Sequence, residues 1–434
     1  MRVYFHTFGC KANQYDTERM RQEAEARGAV AVDAWGEADV CVVNTCTVTN
    51  QADADARRFV RRVARENPAA RVVVAGCSAA LRAHDYRRMD AVETVVPGHD
   101  PVSVAEAVGG PTLVSLGLRR PLDRIDTEPI GGELLRRRAG ASRGWLKVQD
   151  GCDRRCAFCA TRLARGASRS RAPEEIVAEA RILARTHPEL VVTGIHIGHY
   201  GRDLDPRWTL ARLVGLLLDR IPEVRFRLGS VEATEVDDDL LELLATSAGR
   251  LAPHLHMPLQ SGADPVLRRM RRWHTRAQYR ARALRIAERL DPLGLGADII
   301  TGFPGEREED HRRTVRLVEE LPFTYLHVFP FSPRDGTLAA DLAGPVAQRV
   351  AGERSRELRM LAEEKGRAYR GARLGGRAVV VVEGRGGTAL TGDYLRVEAR
   401  GGPRGDGGLL AGTLRGDGDH LYIAWPRQPP SFSA

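Results

Sequence analysis

The sequence contains very little lysine. Only Lys11, Lys147 and Lys365 are lysines, so 63 of its 66 basic residues are arginines. The bias is typical of a GC-rich genome, whose codons favour arginine, and it also suits a phosphate-rich partner, since guanidinium groups bind phosphate bidentately. The net charge of +9 therefore permits a nucleic-acid partner without requiring one.

Long apolar runs are missing as well. No stretch of about 18 uninterrupted apolar residues occurs, so we predict no membrane-spanning helix and no membrane partner. The first residues, Met-Arg-Val-Tyr-Phe-His, lack the charged and apolar regions of a signal peptide. The seven cysteines are an odd number in a long chain, which argues against a disulfide framework. We therefore expect a cytoplasmic protein whose thiols bind metal or react.

The chain is predicted to be an α/β protein with three domains. In residues 1–130, apolar runs at 3–5, 40–43, 72–74 and 95–96 alternate with helical stretches at 15–27, 52–66 and 84–89, which is the pattern of an open parallel sheet. Cys10, Cys46 and Cys77 follow strands, so they are expected at the edge where the carboxyl ends of the strands meet. Cys41 lies inside an apolar run and is interpreted as a small buried filler.

A stretch rich in Pro, Gly and Arg from 119 to 144 is predicted to be a linker. Residues 140–370 then repeat strand and helix six times, which favours a partial or full parallel barrel with its chemistry at the strand carboxyl ends. The predicted strands are 144–148, 190–193, 225–228, 254–257, 294–301 and 325–329, and the predicted helices are 172–185, 209–220, 264–272, 276–290 and 308–320. After a helix at 346–370, residues 371–428 show closely spaced short strands with Gly and Asp turns, typical of a small all-β barrel.

The most specific motif is a C-x3-C-x2-C triplet, Cys152, Cys156 and Cys159, directly after the first barrel strand. A zinc site would need a fourth protein ligand, and the nearest candidate downstream is His187. Three thiolates on a tight loop can instead hold three irons of a cubane cluster and leave the fourth iron open to a small molecule. Phe158, next to the last cysteine, would shield such a cluster or pack on its ligand.

The triplet resembles the fingerprint of the radical S-adenosylmethionine (radical SAM) enzymes. The resemblance narrows with Thr7-Phe8-Gly9-Cys10-Lys11-Ala12-Asn13-Gln14-Tyr15, Asn44-Thr45-Cys46-Thr47-Val48-Thr49 and Ala75-Gly76-Cys77, which are similar to the three cysteine motifs of the methylthiotransferases. Membership of that family implies two [4Fe-4S] clusters, one held by Cys10, Cys46 and Cys77 and the other by Cys152, Cys156 and Cys159. It also implies S-adenosylmethionine as cofactor, a reducing electron donor, and a carboxy-terminal barrel similar to the RNA-binding TRAM module.

Within the family, Cys10-Lys11-x-Asn13-Gln14-Tyr15 and Gly194-Ile195-His196-Ile197-Gly198-x-Tyr200-Gly201 resemble the branch that acts on tRNA N6-threonylcarbamoyladenosine. The implied reaction adds a methylthio group at C2 of this adenosine, next to the anticodon. Alternatives are a methylthiotransferase for isopentenyladenosine tRNA or for a ribosomal protein, and a non-catalytic RNA-binding protein that holds zinc. A monomer is expected.

Further stretches of the barrel also resemble the family. They are Thr193-Gly194-Ile195-His196-Ile197-Gly198, Leu228-Gly229-Ser230-Val231-Glu232, His256-Met257-Pro258-Leu259-Gln260-Ser261-Gly262 and Asp298-Ile299-Ile300-Thr301-Gly302-Phe303-Pro304-Gly305-Glu306. The expected cofactor-binding residues are Phe158, Thr193, Gly194, Ser230, Glu232 and Gln260. Glu232 and Gln260 end barrel strands, where polar side chains bind ligands, although a structural polar layer is the alternative.

Two groups of arginines and three histidines remain to be interpreted. Arg162, Arg165, Arg169 and Arg171 follow the triplet and would either bind tRNA phosphates or the cofactor carboxylate, or form a solvated face. For the second group we favour a solvated surface; it comprises Arg268, Arg269, Arg271 and Arg272. The histidines near strand ends, His196, His254 and His256, are expected to be hydrogen-bonded core residues.

Overall fold

The structure is a computed structural model of the 434-residue chain. It describes residues 1–109, 134–383, 387–399 and 408–426. Most of the predicted linker at 119–144 therefore lies outside the described residues. Within the described ranges, no helix has both the length and the apolar character needed to cross a membrane.

The amino-terminal region is a five-stranded sheet in which every neighbouring pair of strands is parallel. Its strands are β1 (Arg2–Thr7), β2 (Val30–Ala31), β3 (Val40–Thr45), β4 (Arg71–Gly76) and β5 (Val92–Val95), in spatial order β2-β1-β3-β4-β5. The helices are α1 (Lys11–Ala26), α2 (Asn50–Glu66), α3 (Cys77–Leu81), α4 (Ala83–Arg87) and α5 (Pro101–Gly109). The predicted open parallel sheet is confirmed, and the short β2 is the strand that the pattern missed.

The central strand β3 is buried along its whole length because helices cover both faces of the sheet. Val42 and Val73 pack on one face, and Cys41 and Val43 pack on the other. Cys41 is fully buried among apolar side chains, as expected for a filler. Helix α2 begins at a defined point because the Thr49 hydroxyl accepts a hydrogen bond from the Ala52 amide at 3.1 Å.

The central region is a partial barrel of six parallel strands, accompanied by a short antiparallel ribbon. The elements are β6 (Arg143–Lys147), β7 (Gln149–Asp150), β8 (Arg169–Ser170), β9 (Glu189–Thr193), β10 (Arg225–Leu228), β11 (His254–His256), β12 (Gly294–Thr301) and β13 (Tyr325–Pro330). Strands β10-β9-β6 and β11-β12-β13 form two parallel sheets, and a bridge between Ser230 and His256 joins them. The ribbon is β7 paired with β8. The barrel strands thus follow chain order from β6 at one edge to β13 at the other.

The barrel helices cover its outer face. They are α6 (Thr161–Arg165), α7 (Pro173–Ala184), α8 (Leu210–Arg220), α9 (Asp238–Thr246), α10 (Asp264–Arg269), α11 (Arg276–Arg289) and α12 (Glu308–Glu320). The sequence interpretation missed α9, although Asp237 caps it by accepting from the Leu240 amide at 2.8 Å. Helix α10 ends at Arg269, earlier than predicted, and Arg271 takes a positive φ of 56°. This early end turns Arg272 toward the cysteine triplet.

Helix α13 (Gln348–Ala372) leads into a closed five-stranded barrel, which confirms the predicted small all-β unit. Its strands are β14 (Arg377–Glu383), β15 (Thr388–Thr391), β16 (Arg396–Glu398), β17 (Leu410–Gly416) and β18 (Leu421–Ala424), in the order β14-β15-β16-β18-β17. Strand β17 was not predicted because alternating apolar residues are sparse in its Gly-rich sequence. The closed order leaves no strand of this barrel at an open edge.

Candidate functional site

Three thiols converge at the carboxyl edge of the amino-terminal sheet. Cys10 precedes α1, Cys46 follows β3, and Cys77 begins α3 directly after β4. Burial raises the pKa of Cys46 to about 12, with further increases from Cys77 and Cys10, and burial also raises the pKa of Cys77. The strand pattern thus predicted the convergence correctly. The role of these cysteines as metal ligands stays a prediction.

Two glycines of the cysteine motifs are required by this packing. Gly9 has a φ of +100°, and a Cβ there would lie 2.6 Å from Cys46 Sγ. Gly76 has a φ of +95°, and a Cβ there would lie 2.2 Å from the Asn44 side-chain oxygen. Any side chain at either position would push the cysteine loops apart, so both glycines keep the thiols together.

Asn13 fastens the loops behind the thiols. Its side-chain amide donates to the carbonyl oxygens of Phe8 and Thr45, both at 2.8 Å. Its Oδ1 lies 3.6 Å from Cys77 Sγ. One side chain therefore connects the loops that carry Cys10, Cys46 and Cys77, which explains why Asn13 belongs to the first motif.

The second triplet lies on a loop at the carboxyl end of the first barrel strands. Gly151 has a φ of +69°, and a Cβ there would lie 1.7 Å from the Ala167 carbonyl oxygen. The Cys152 amide donates to Gly166 O at 3.1 Å, and the Cys159 amide donates to Cys156 O at 3.2 Å. The Ala157 amide, between the second and third cysteines, donates to Met270 O at 2.9 Å. The loop is thus held closely by α6 and α10 on either side.

Two polar side chains contact the thiols of this triplet. His196 Nδ1 lies 3.4 Å from Cys152 Sγ, and its Nε2 lies 2.9 Å from a Glu235 carboxylate oxygen. Arg272 donates to Cys156 Sγ at 3.5 Å and forms an ion pair with Glu232. His196 is hydrogen-bonded, as predicted, but it contacts the triplet. Only 3% of the Arg272 side chain is exposed, so its assignment to a solvated surface was wrong.

Burial governs the acidity of the triplet's thiols. It raises the pKa of Cys152 to about 12. Burial also raises the pKa of Cys156, and the Arg272 guanidinium opposes this increase. A metal centre on these thiols must therefore displace their protons on binding.

Arg165 connects the two cysteine sites. It lies on α6, six residues after Cys159, and it is fully buried. Its Nε donates to Cys77 Sγ at 3.2 Å, and its other nitrogens bind Asp150 at 3.0 Å and Asp16 at 2.8 Å. Arg165 therefore neither faces solvent nor reaches an RNA phosphate, and both alternatives of the sequence interpretation were wrong for it.

A buried ion cluster surrounds Arg165. Lys147 donates to Asp16 at 2.7 Å and to Asp150 at 2.6 Å, and His99 lies 3.0 Å from Asp150. Burial raises the pKa of Asp150, but Arg165 and Lys147 outweigh this effect and hold the pKa well below its usual range. The cluster joins α1 of the amino-terminal sheet to the first strand of the barrel, so it fixes the two cysteine sites relative to one another.

Arg171 is a second buried arginine of the predicted strip. It donates to Glu179 at 3.0 Å and to Lys147 O at 2.8 Å, while Tyr15 donates to the same carboxylate at 3.0 Å. The prediction of a ligand-binding or solvated Arg171 was therefore wrong. Arg162 is exposed, as are Arg268, Arg269 and Arg271 of the second group.

The predicted cofactor-binding residues lie near the carboxyl ends of the barrel strands. Thr193 is buried, and a Cβ on Gly194 would lie 2.7 Å from Gln149 O, so the chain passes very close to β7 there. Ser230 is exposed at the end of β10, and Phe158 packs edge-on against Phe303 with ring centroids 6.5 Å apart. The side chain of Glu232 is engaged by Arg272.

Gln260 provides a direct test of whether a ligand fits here. Its φ is +67°, a conformation that is costly for a side-chain-bearing residue. Its side-chain oxygen is buried without a hydrogen-bond partner in the described part of the chain. A buried acceptor without a donor is unfavourable by about 1–3 kcal/mol. The amino group or ribose hydroxyls of S-adenosylmethionine would supply the missing donor, so the site fits the cofactor.

The metal-ligating groups that converge most tightly contain no cysteine. Among the described residues, the two sets whose ligand atoms lie within 4.8 Å of one another are His196, His199 and Glu235, and His256, Asp298 and His327. A single tetrahedral zinc would require sulfurs roughly 4 Å apart. In each cysteine triplet, at least two of the sulfurs therefore lie more than 4.8 Å apart.

The barrel interior is strongly charged toward the amino ends of its strands. Glu189 accepts from Arg225 Nε at 2.6 Å and from Arg227 Nε at 2.9 Å. The two arginines also donate to Val379 O and Gly392 O, both at 2.8 Å, and so attach the carboxy-terminal barrel. Burial raises the pKa of Glu189, but the arginines lower it to about 2.

Lys11, half-buried at the start of α1, lies within the electrostatic field of this charged interior. Its ammonium group interacts electrostatically with Arg143, Arg227, Glu189 and Cys10. Burial lowers the pKa of Lys11 to about 8, and the two arginines contribute to the decrease. Sequence reasoning did not assign Lys11 a separate role, although its place directly after Cys10 and the scarcity of lysine were available signals.

Histidines and a tyrosine continue the polar lining toward the mouth. The Tyr325 hydroxyl lies 2.8 Å from His254 Nε2 and 3.1 Å from His256 Nδ1. His256 and His327 contact the Asp298 carboxylate at 3.1 and 3.2 Å. The expectation that His254 and His256 are hydrogen-bonded core residues is confirmed, and both line the interior of the barrel.

A cavity of about 890 Å³ lies where the Cys46 loop meets the end of the barrel. The amides of Asn50 and Gln51 and the rings of Phe329 and Phe331 are part of its lining. Arg334 binds Asn50, Thr47 and Asp53 and so holds the Cys46 loop against this end of the barrel. Because Asn50 is also hydrogen-bonded to Pro333 O, the lining offers a ligand its aromatic faces and the amide oxygen of Gln51.

Comparisons with known proteins agree with this architecture. Residues 2–98 match the Uncharacterized protein family UPF0004, and residues 146–318 match the Radical SAM superfamily. The solved structure of the radical S-adenosylmethionine methyltransferase TsrM from Kitasatospora setae, with cobalamin and a [4Fe-4S] cluster bound, superposes with a TM-score of 0.59. The two chains are 15% identical, and the match covers 78% of this chain and 77% of the TsrM chain. At this identity the comparison supports the fold alone. Fold and site together define a radical SAM enzyme.

Curated relatives specify the family. The threonylcarbamoyladenosine tRNA methylthiotransferase MtaB of Bacillus subtilis is 37% identical over 85% of this chain and 81% of the relative. The MtaB of Aquifex aeolicus is 33% identical over 92% of this chain and 97% of the relative. The tRNA-2-methylthio-N(6)-dimethylallyladenosine synthase of Jannaschia sp. is also 33% identical, over 88% of this chain and 83% of the relative. The chain belongs to the radical SAM tRNA methylthiotransferase family.

Proposed function

We propose that the enzyme converts tRNA N6-threonylcarbamoyladenosine, next to the anticodon, to its 2-methylthio derivative. The observation that carries the choice is the charged barrel interior, with Glu189, Arg225 and Arg227 buried together. A threonylcarbamoyl chain, with its hydrogen-bonding groups and carboxylate, suits a polar, charged interior better than an apolar dimethylallyl chain does. The relatives named for the threonylcarbamoyl substrate support the same choice.

We propose two [4Fe-4S] clusters as resident cofactors. Cys10, Cys46 and Cys77 would hold one, and Cys152, Cys156 and Cys159 would hold the other, each leaving one iron free. When bound, the clusters and S-adenosylmethionine supply hydrogen abstraction from C2 of the adenine and the sulfur that is added there. The chain itself must bind, orient and exclude water.

Individual side chains fit these tasks. Gln260 would accept a hydrogen bond from the cofactor with its partnerless oxygen, and Arg272 holds Glu232 in place beside it. Phe158 and Phe303 would keep water from the cluster, since they form an apolar group with Met270 and Ala263. Thr193, Gly194 and Ser230 would provide the remaining cofactor contacts.

The partner is proposed to be tRNA. The cavity between the Cys46 loop and the barrel has Phe329 and Phe331 for stacking, and the amide oxygen of Gln51 for a hydrogen bond. An unstacked RNA base is recognised by this combination. The carboxy-terminal barrel would bind RNA as a TRAM-like module. Residues 1–130, 140–370 and 371–428 are proposed as domains of a cytoplasmic monomer that receives electrons from a reducing donor.

Nucleoside analysis tests the proposed reaction. The gene is expressed in a host that makes threonylcarbamoyladenosine but lacks its 2-methylthio derivative, and the tRNA is digested and analysed by mass spectrometry. We expect the methylthio product to appear with the native chain and to be missing with Cys156→Ala. Methylthiolation of dimethylallyladenosine or of a ribosomal protein instead would reject the proposed substrate.

Metal analysis separates the enzyme from a zinc-holding RNA-binding protein. Anaerobically purified protein is expected to contain about four irons and four sulfides for each cysteine triplet. Reduced protein should also form 5′-deoxyadenosine from S-adenosylmethionine. Stoichiometric zinc without sulfide in protein prepared under iron-rich conditions would favour the non-catalytic alternative.

A further inference from the structure

Lys11 is a half-buried cation beside the charged barrel interior. Its ammonium group forms no hydrogen bond or ion pair within the ranges that the structure describes, although it lies in the field of Arg143, Arg227, Glu189 and Cys10. Glu189 is not available to it, because Arg225 and Arg227 already occupy both carboxylate oxygens at 2.6–2.9 Å. Because the nearby arginines repel this half-buried ammonium group, an anion bound beside it would be favourable.

The surroundings of Lys11 carry an excess of positive charge. Lys11, Arg143, Arg225 and Arg227 are four cations, and the carboxylates that bind them in the described structure are Glu189 and Glu383. These side chains thus include two more cations than carboxylates, and the Cys10 thiol is the other group near Lys11 that can carry a negative charge. By contrast, Arg165 and Lys147 are matched by Asp16 and Asp150. The interior beside Lys11 is thus suited to bind an anion.

The other two lysines have partners of their own. Lys147 donates to Asp16 and Asp150, and Lys365 donates to Glu319 O at 2.9 Å. Arginine supplies 63 of the 66 basic residues, so a lysine in the interior is an exception to the composition.

The substrates named for the relatives differ in charge. A threonylcarbamoyl group ends in a carboxylate, whereas a dimethylallyl group is neutral and apolar. We propose that Lys11 binds the carboxylate of the threonylcarbamoyl group and so selects this substrate; the inference rests on the proposed function. Because Lys11 directly follows Cys10, the anchored substrate would lie beside the amino-terminal cysteine site.

The test uses two anticodon stem-loops, one with threonylcarbamoyladenosine and one with its methyl ester, which lacks the negative charge. Native protein loaded with clusters should process the ester about 30-fold less efficiently in kcat/KM, as expected for loss of a charged hydrogen bond. Lys11→Met should be about 30-fold less efficient on the acid and should not distinguish acid from ester. Lys365→Met is the matched control and should behave as the native protein does.

Binding and folding measurements distinguish a loss of substrate binding from damage to the proposed cluster beside Lys11. Fluorescence anisotropy of the two stem-loops gives the same comparison without turnover, and Lys11→Arg should keep part of the preference for the acid. Lys11→Met should unfold at an unchanged or higher denaturant concentration, because it removes a cation that the neighbouring arginines repel.

The possible failures are distinguishable. If Lys11→Met prefers the acid as strongly as the native protein does, the anion at Lys11 is another one, such as an RNA phosphate, and the inference is wrong. If the native protein binds and processes acid and ester equally, no cation of the protein binds the carboxylate, and the inference is wrong. If it methylthiolates neither stem-loop while forming 5′-deoxyadenosine, the proposed function itself fails.

Discussion

Arg165 donates a hydrogen bond from Nε to Cys77 Sγ at 3.2 Å, and thereby joins the loop of one cysteine triplet to a thiol of the other. Arg165 lies on the short helix α6 that follows Cys152, Cys156 and Cys159. Its remaining nitrogens bind Asp16 and Asp150, which belong to different parts of the fold. The distance between the two proposed clusters is therefore set by a buried ion network.

Replacing Arg165 should destabilise the protein. In Arg165→Met, Asp16 and Asp150 lose a buried partner, and we expect a loss of about 3–5 kcal/mol in the free energy of unfolding. Urea denaturation followed by circular dichroism measures it. Arg162→Met, on the exposed face of the same helix, should change stability little. Equal stability of the two variants would contradict the role assigned to the ion network.

Gly9→Ala should impair the amino-terminal cysteine site specifically. Its Cβ would lie 2.6 Å from Cys46 Sγ, so the loops must separate. We expect the iron content to fall by about four per chain while 5′-deoxyadenosine formation continues at the other triplet. Gly28→Ala is the matched control, since Gly28 also has a positive φ of 88° but open space around it. Full iron content in Gly9→Ala would refute the packing argument.

Arg272 should raise the reduction potential of the cluster at the C-x3-C-x2-C triplet. Its guanidinium donates to Cys156 Sγ at 3.5 Å, and a positive donor stabilises the more negative, reduced cluster. Arg272→Gln should therefore give a more negative midpoint potential in an EPR-monitored redox titration. The measurement is made after Cys10, Cys46 and Cys77 are changed to Ala, with Arg271→Gln as the exposed control. An unchanged potential would show that the contact does not tune the cluster.

Glu189, at the base of the barrel, should make the free energy of unfolding depend on pH. Its pKa is lowered from 4.5 to about 2 in the folded protein, so its contribution of about 3 kcal/mol is complete above pH 4.5. The contribution is lost as the pH falls from 4.5 toward 2. Glu189→Gln should thus be less stable than the native protein at pH 7, and the difference should shrink by pH 3.5. Denaturant titrations at several pH values check this, and a constant difference would contradict it.

Local pattern predicted most elements, because strand and helix periodicity depends on neighbours in the chain. The six barrel strands were predicted within one or two residues, whereas β2, α5, α9 and β17 were among the elements that were missed. Helix α9 has a short apolar face, and β17 has weak alternation in a Gly-rich stretch. The convergence of the cysteines of the amino-terminal motifs was equally predictable, since loops at the ends of neighbouring parallel strands must meet.

The sequence alone determined the parallel α/β architecture, the two cysteine triplets and the resemblance to the methylthiotransferases. Only the tertiary structure decided which cations are buried and what they bind. Arg165 and Asp16 are 149 residues apart, and Arg272 and Cys156 are 116 apart. Adjacent arginines look alike in the sequence, but burial and the partners that neutralise charge come from distant segments. For the same reason, the partnerless position of Lys11 became visible only in the folded chain.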